Sequence, residues 1–101
     1  MTFQRISACA ELISRYEGHK SSFDTVVVII SFDLLSELRA KCTKSMCLAK
    51  DGDEFFMGCK MIMSKSSNYL AVAYWDELED RFHDIIEITD EEKKNEYCKK
   101  M

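Results

Sequence analysis

Proline is absent from this chain and glycine occurs only three times, so few connections are stiffened or sharply turned by special residues. No stretch approaches the roughly 18–20 apolar residues that span a bilayer, and the N-terminus lacks the basic-then-apolar pattern of a secretory signal. The expectation is no membrane association and a place in the cytoplasm. The five cysteines, Cys9, Cys42, Cys47, Cys59 and Cys98, are odd in number and scattered without tight pairs. That argues against a secreted disulfide framework and for small buried hydrophobes.

Catalytic signatures are missing too. There is no Gly-x-Ser-x-Gly, no His-Glu-x-x-His and no dinucleotide fingerprint. Gly52, Gly58, Cys59 and Lys60 imitate a phosphate loop only superficially, because the spacing is wrong and the segment reads as a strand. Cys42 and Cys47, with Cys59 and His83 beyond them, form one loose pair where structural zinc takes tight Cys-x-x-Cys knuckles. No metal and no cofactor are implied, and no base stands beside a thiol to activate it. The net charge of −4 disfavours direct nucleic-acid binding, which needs clustered Lys and Arg. The expectation is that the chain is not an enzyme.

What is present describes a folded domain. Apolar residues make up 47% and charged residues 32% of 101 positions, which suits one globular domain over 1–101 with its own core. The organising stretch is Thr25-Val26-Val27-Val28-Ile29-Ile30, apolar without polar alternation, as in a strand buried on both faces. Ser31 ends it and can cap a helix over Phe32–Lys41, with Asp33 in the first turn and Leu34, Leu35 and Leu38 on one stripe.

Before it, Phe3, Ile6, Ala10, Ile13 and Tyr16 recur at helical spacing, with Gly18 as terminator. After it, 46–49 suits a short strand before the hairpin dipeptide Asp51-Gly52. Residues 55–63 alternate as one strand with Gly58 in its middle, and 69–75 reads as its hairpin return. Asp76 then suits the cap of a third helix burying Trp75, Leu78, Phe82, Ile85 and Ile86. Thr89 with Glu92 signals a short final helix to about Lys99. The order expected is α-β-α-β-β-β-α-α, an α+β fold with a mainly antiparallel sheet of three to four strands.

Charge is unevenly spread: residues 76–92 carry nine carboxylates against one arginine, whereas 1–75 nearly balance. On a helix, Asp76, Asp80, Asp84, Glu87 and Glu91 would share one face, opposite the apolar stripe. Such a face suits docking on a basic groove of a partner, including that of a nucleic-acid-binding protein, or simple solvation. His83 among these carboxylates is expected to favour its protonated form. Met57, Met61 and Met63 alternate as a strand's core face does. Tyr74 and Trp75 close an uncharged strand which, if at the sheet edge, invites strand addition or a homo-oligomer.

The strand–Ser–helix run Val26–Leu38, with 55–63 continuing to Trp75, resembles small tailed-phage proteins and a segment of phage capsid subunits. The resemblance covers about half the chain. It departs where Phe32 stands in place of the Pro that often follows the Ser, and capsid subunits are far longer. It implies a small accessory protein acting on a host component, with no residue roles carried over. The resulting expectation is a non-enzymatic interaction protein, such as an inhibitor, that binds through Asp76, Asp80, Asp84, Glu87 and Glu91 with Tyr74 and Trp75. The alternatives are a subunit of a homo-oligomeric assembly and a small enzyme with a dispersed site.

Overall fold

The structure is a computed structural model that describes residues 2–41, 47–50 and 52–89. Helix α1 spans Phe3–His19, strand β1 Asp24–Ser31 and helix α2 Phe32–Lys41. Four strands and a hairpin partner follow: β2 Cys47–Lys50, β3 Asp53–Phe56, β4 Cys59–Ser64, β5 Leu70–Asp76 and β6 Arg81–Glu87. They form one six-stranded sheet in the order β2-β3-β4-β1-β5-β6. The fold is therefore α+β, with six strands rather than three or four.

Strand β1 lies inside the sheet, parallel to β4 and antiparallel to β5. Val26, Val27 and Val28 are all buried, as the unbroken apolar run requires. Val26, Val28 and Ile30 join Leu12 and Ile13 of α1, Leu34, Leu35 and Leu38 of α2, and Phe56 in one core cluster. Both helices therefore cover the same face of the sheet.

Thr2 caps α1, its hydroxyl accepting from the Arg5 amide at 3.1 Å. The buried stripe of α1 is Arg5, Ile6, Cys9, Leu12, Ile13 and Tyr16. Phe3 is instead exposed under the Lys41 ammonium, 5.1 Å from its ring centre. Gly18 lies within the helix, which runs on to His19.

The single strand expected over 55–63 is two strands. Met57 and Gly58 both have positive φ, 51° and 82°, which is the backbone of a two-residue type I′ hairpin turn. Phe56 and Cys59 pair across it. Gly58 thus marks a reversal, and the two-residue turn switches the parity that a single strand would keep. Phe56 and Cys59 pair across it and are both buried with Met61, while Met57 and Met63, expected on the core face with Met61, are 42% and 45% exposed. The return strand differs too: β4 and β5 are not neighbours, because β1 lies between them. The connection crosses the end of β1, where the Ser31 amide donates to the Tyr69 carbonyl at 2.9 Å and the Tyr69 amide to the Ser31 hydroxyl at 3.0 Å. The hairpin expected beside Gly52 is present, with Lys50 of β2 paired to Asp53 of β3; Asp51 lies outside the described residues.

The expected third helix is strand β6. Leu78 and Ile85, assigned to its buried face, are 68% and 49% exposed. The short final helix falls on residues 90–99, outside those described, as does Cys42.

Candidate functional site

The acidic segment begins as a helix would and then turns back. Asp76 Oδ1 accepts from the amides of Leu78 at 2.9 Å and Glu79 at 3.1 Å, which is helix-capping chemistry. After one turn the Asp80 amide closes onto the Asp76 carbonyl at 2.7 Å, and Asp80 takes a φ of 58°. Asp tolerates this left-handed conformation better than most residues, and it sends the chain back along β5. Phe82, Ile85 and Ile86 then suit a strand as readily as a helix.

The sheet-edge position of β6 scatters the residues that a helix would have aligned. Asp80 occupies the hairpin corner. Asp84 sits in a bulge, with a φ of 52°, where the β5 register shifts between Val72 and Tyr74. Glu87 is exposed and pairs with Ala71, on the face away from the helices. Tyr74 is buried beneath α1, stacked on Tyr16 with ring centres 4.5 Å apart, and donates to the Tyr16 carbonyl at 2.7 Å. Trp75 points to the opposite face and meets Phe82 edge-on at 4.8 Å. Glu91 lies outside the described residues.

His83 fastens this edge to the sheet. Its Nε2 is 2.9 Å from Asp24 Oδ1 and its Nδ1 3.2 Å from Asp84 Oδ2, while the Tyr16 hydroxyl donates to the Asp84 carbonyl. The hydrogen bond that His83 donates to Asp24, with that to Asp84 adding to it, raises the His83 pKa above its ordinary value. The same bond from His83 chiefly lowers that of Asp24, and Ser21 assists. Only the imidazolium offers an N–H to both carboxylates at once. Asp24 stands 59 residues from His83, so no local pattern announced the pair.

The signs fix a pH window. A raised histidine pKa gives stabilisation that is complete below 6.5 and is lost as pH climbs through the folded-state value. A lowered aspartate pKa gives stabilisation present above 3.8 and lost as pH falls through its folded-state value. Thermal melting should therefore show stability declining as pH rises above 6.5, and His83→Gln should flatten that decline. Parallel curves for the two proteins would contradict the pairing.

Asp24, Asp76 and His83 bring donor atoms within 4.8 Å of one another, the one such set among the described residues. Hydrogen bonds already engage both His83 nitrogens, both Asp24 oxygens and one Asp76 oxygen. Cys59 is buried, and burial pushes its thiol up to about 11, the reverse of an activated nucleophile.

Beside β6 runs a groove of about 480 Å³. Leu12, Arg15, Tyr16 and His19 of α1 form one wall, Tyr74 the floor, and Asp84, Ile85 and Ile86 the other wall. Sequence reading placed Ile85 and Ile86 in the core; the edge position leaves them 49% and 38% exposed. No protein-family model, curated protein or solved structure matches the chain.

Proposed function

We propose that this chain is a non-enzymatic protein-interaction module that binds a partner with a basic surface through its β5–β6 hairpin. One observation carries the reading. Six carboxylates, Asp76, Glu77, Glu79, Asp80, Asp84 and Glu87, sit with a single arginine on the outermost hairpin of the sheet, and all but Asp76 are exposed. A field of one sign at a sheet edge steers a basic partner and sets its register. The resemblance to small phage accessory proteins agrees with an inhibitor-like binder of a host component, including one whose own ligand is nucleic acid.

The test is capture of a partner from cell lysate at low and high salt by the wild type and by a Glu79→Gln, Asp80→Asn, Glu87→Gln variant. These three side chains lie outside the His83 network, so the melting temperature should hold. A salt-sensitive partner that the variant fails to retain is the expected result; equal capture by both proteins would contradict the reading.

A separate observation favours a second reading, a subunit of a homo-oligomer. Ile29, Ile62, Trp75 and Phe82 are only half-buried, on the sheet face that α1 and α2 leave uncovered. This reading expects a multimer in light scattering that survives the same substitutions.

A further inference from the structure

Strand β6 is the outer strand of the sheet, so one row of its backbone amides and carbonyls has no neighbouring strand among the described residues. Edge strands are usually blunted by lysine, proline or a bulge. Strand β6 has the bulge at Asp84 and the charges of Arg81, Asp84 and Glu87; its two carboxylates repel an acidic strand but not a basic one, and it carries neither lysine nor proline. The bulge leaves 81–83 and 85–87 as extended stretches on either side. The groove runs along the same strand on its helix side, and Ile85 and Ile86 form one of its walls.

The geometry points to a specific mode of binding: an extended, basic peptide segment adds to β6 as a seventh strand and drops alternate apolar side chains into the α1–β6 groove. This rests on the protein-interaction reading and goes further by naming the partner's chemistry. Strand addition supplies affinity through main-chain hydrogen bonds, and pockets for every second side chain supply selectivity. The groove offers Leu12, Tyr16, Tyr74, Ile85 and Ile86 to such side chains. Charge fixes the sign of the intervening positions. Exposed Asp84 and Glu87 on β6, with Glu77, Glu79 and Asp80 at the hairpin end, complement lysine or arginine. The occupant is thus a segment alternating apolar and basic residues, without proline at positions that must donate to β6.

Three blocked synthetic peptides test this against the full chain: Lys-Val-Lys-Val-Lys-Val-Lys, the same with its central Val replaced by Pro, and the same with every Val replaced by Ser. All carry the same charge, so carboxylate attraction alone treats them alike. Affinity is read by NMR titration and strand pairing by amide hydrogen exchange. The expected result is that the first peptide binds and slows exchange at β6 amides that do not bond to β5. The proline and serine peptides should bind about tenfold or more weakly, since each loses ladder bonds or groove contacts. Ile85→Ser, at an exposed position that leaves folding intact, should weaken the valine peptide and leave the serine peptide unchanged. Equal binding of all three without slowed exchange would overturn strand addition and leave the carboxylate surface standing; binding of none would overturn both.

Discussion

Replacing Phe56 with alanine is expected to lower the free energy of unfolding by about 3–5 kcal/mol. Phe56 is fully buried and belongs to the cluster that also holds Leu34, Leu35 and Leu38 of α2 and Cys59 and Met61 of β4. It is the last residue of β3, one step before the Met57-Gly58 turn. A cavity there loosens the packing beneath α2 and the hairpin that seats β4 against β1. A domain of this size has about 5–15 kcal/mol of stability in total, so urea unfolding should show a large fall in the midpoint. The slope should be unchanged if the denatured state is unaffected. A loss below about 1 kcal/mol would mean that the site is not closed around the ring.

Arg5→Met is the second large effect, expected at about 2–4 kcal/mol. Arg5 is 3% exposed, and its guanidinium donates to the Ile88 carbonyl at 2.9 Å, the Asn68 side-chain oxygen at 2.8 Å and the Asn68 carbonyl at 3.1 Å. One side chain thus ties the start of α1, the loop entering β5 and the residue just after β6. Methionine keeps an unbranched apolar stem but leaves the buried Ile88 carbonyl without its donor, while the oxygens of exposed Asn68 return to water; an unsatisfied buried group costs more than an average hydrogen bond contributes. Arg5→Lys should recover only part of the loss, because an ammonium lacks the planar fork that reaches both positions. Since the bond to Ile88 anchors the far end of β6, amide exchange in 85–87 should accelerate in Arg5→Met more than in β1. Uniform acceleration would show that Arg5 supports the whole domain rather than the edge.

Much of this fold was legible because local chemistry and tertiary context agree. The run Thr25–Ile30 fits only an interior strand, and 32–41 has both a first-turn aspartate and a leucine stripe, so their boundaries follow directly. Other features were not legible, each for a physical reason. The Met57-Gly58 reversal switches side-chain parity so that Phe56 and Cys59 share the core face, but 55–63 has apolar residues at both odd and even positions, which hides the switch. The insertion of β1 between β4 and β5 depends on long-range pairing that no window of sequence contains.

The segment after Asp76 carries a real capping signal, and its carboxylate does bind the next amides. What decides between helix and hairpin is the left-handed residue Asp80 four positions later, together with the unpaired edge of β5. Buried Arg5 gave no signal, since its acceptors lie 63 and 83 residues away. The acidic character of the candidate surface was readable from composition; its shape, an edge strand beside a groove rather than a helix face, was not.

The most direct test of the interaction surface is NMR shift mapping of the isotope-labelled chain against the captured basic partner. Perturbations concentrated in 76–87, extending to Leu12, Arg15 and His19 across the groove and fading at high salt, are the expected result. Perturbations centred on Ile29 and Ile62, with 76–87 unmoved, would contradict the assignment and place the working surface on the opposite face of the sheet.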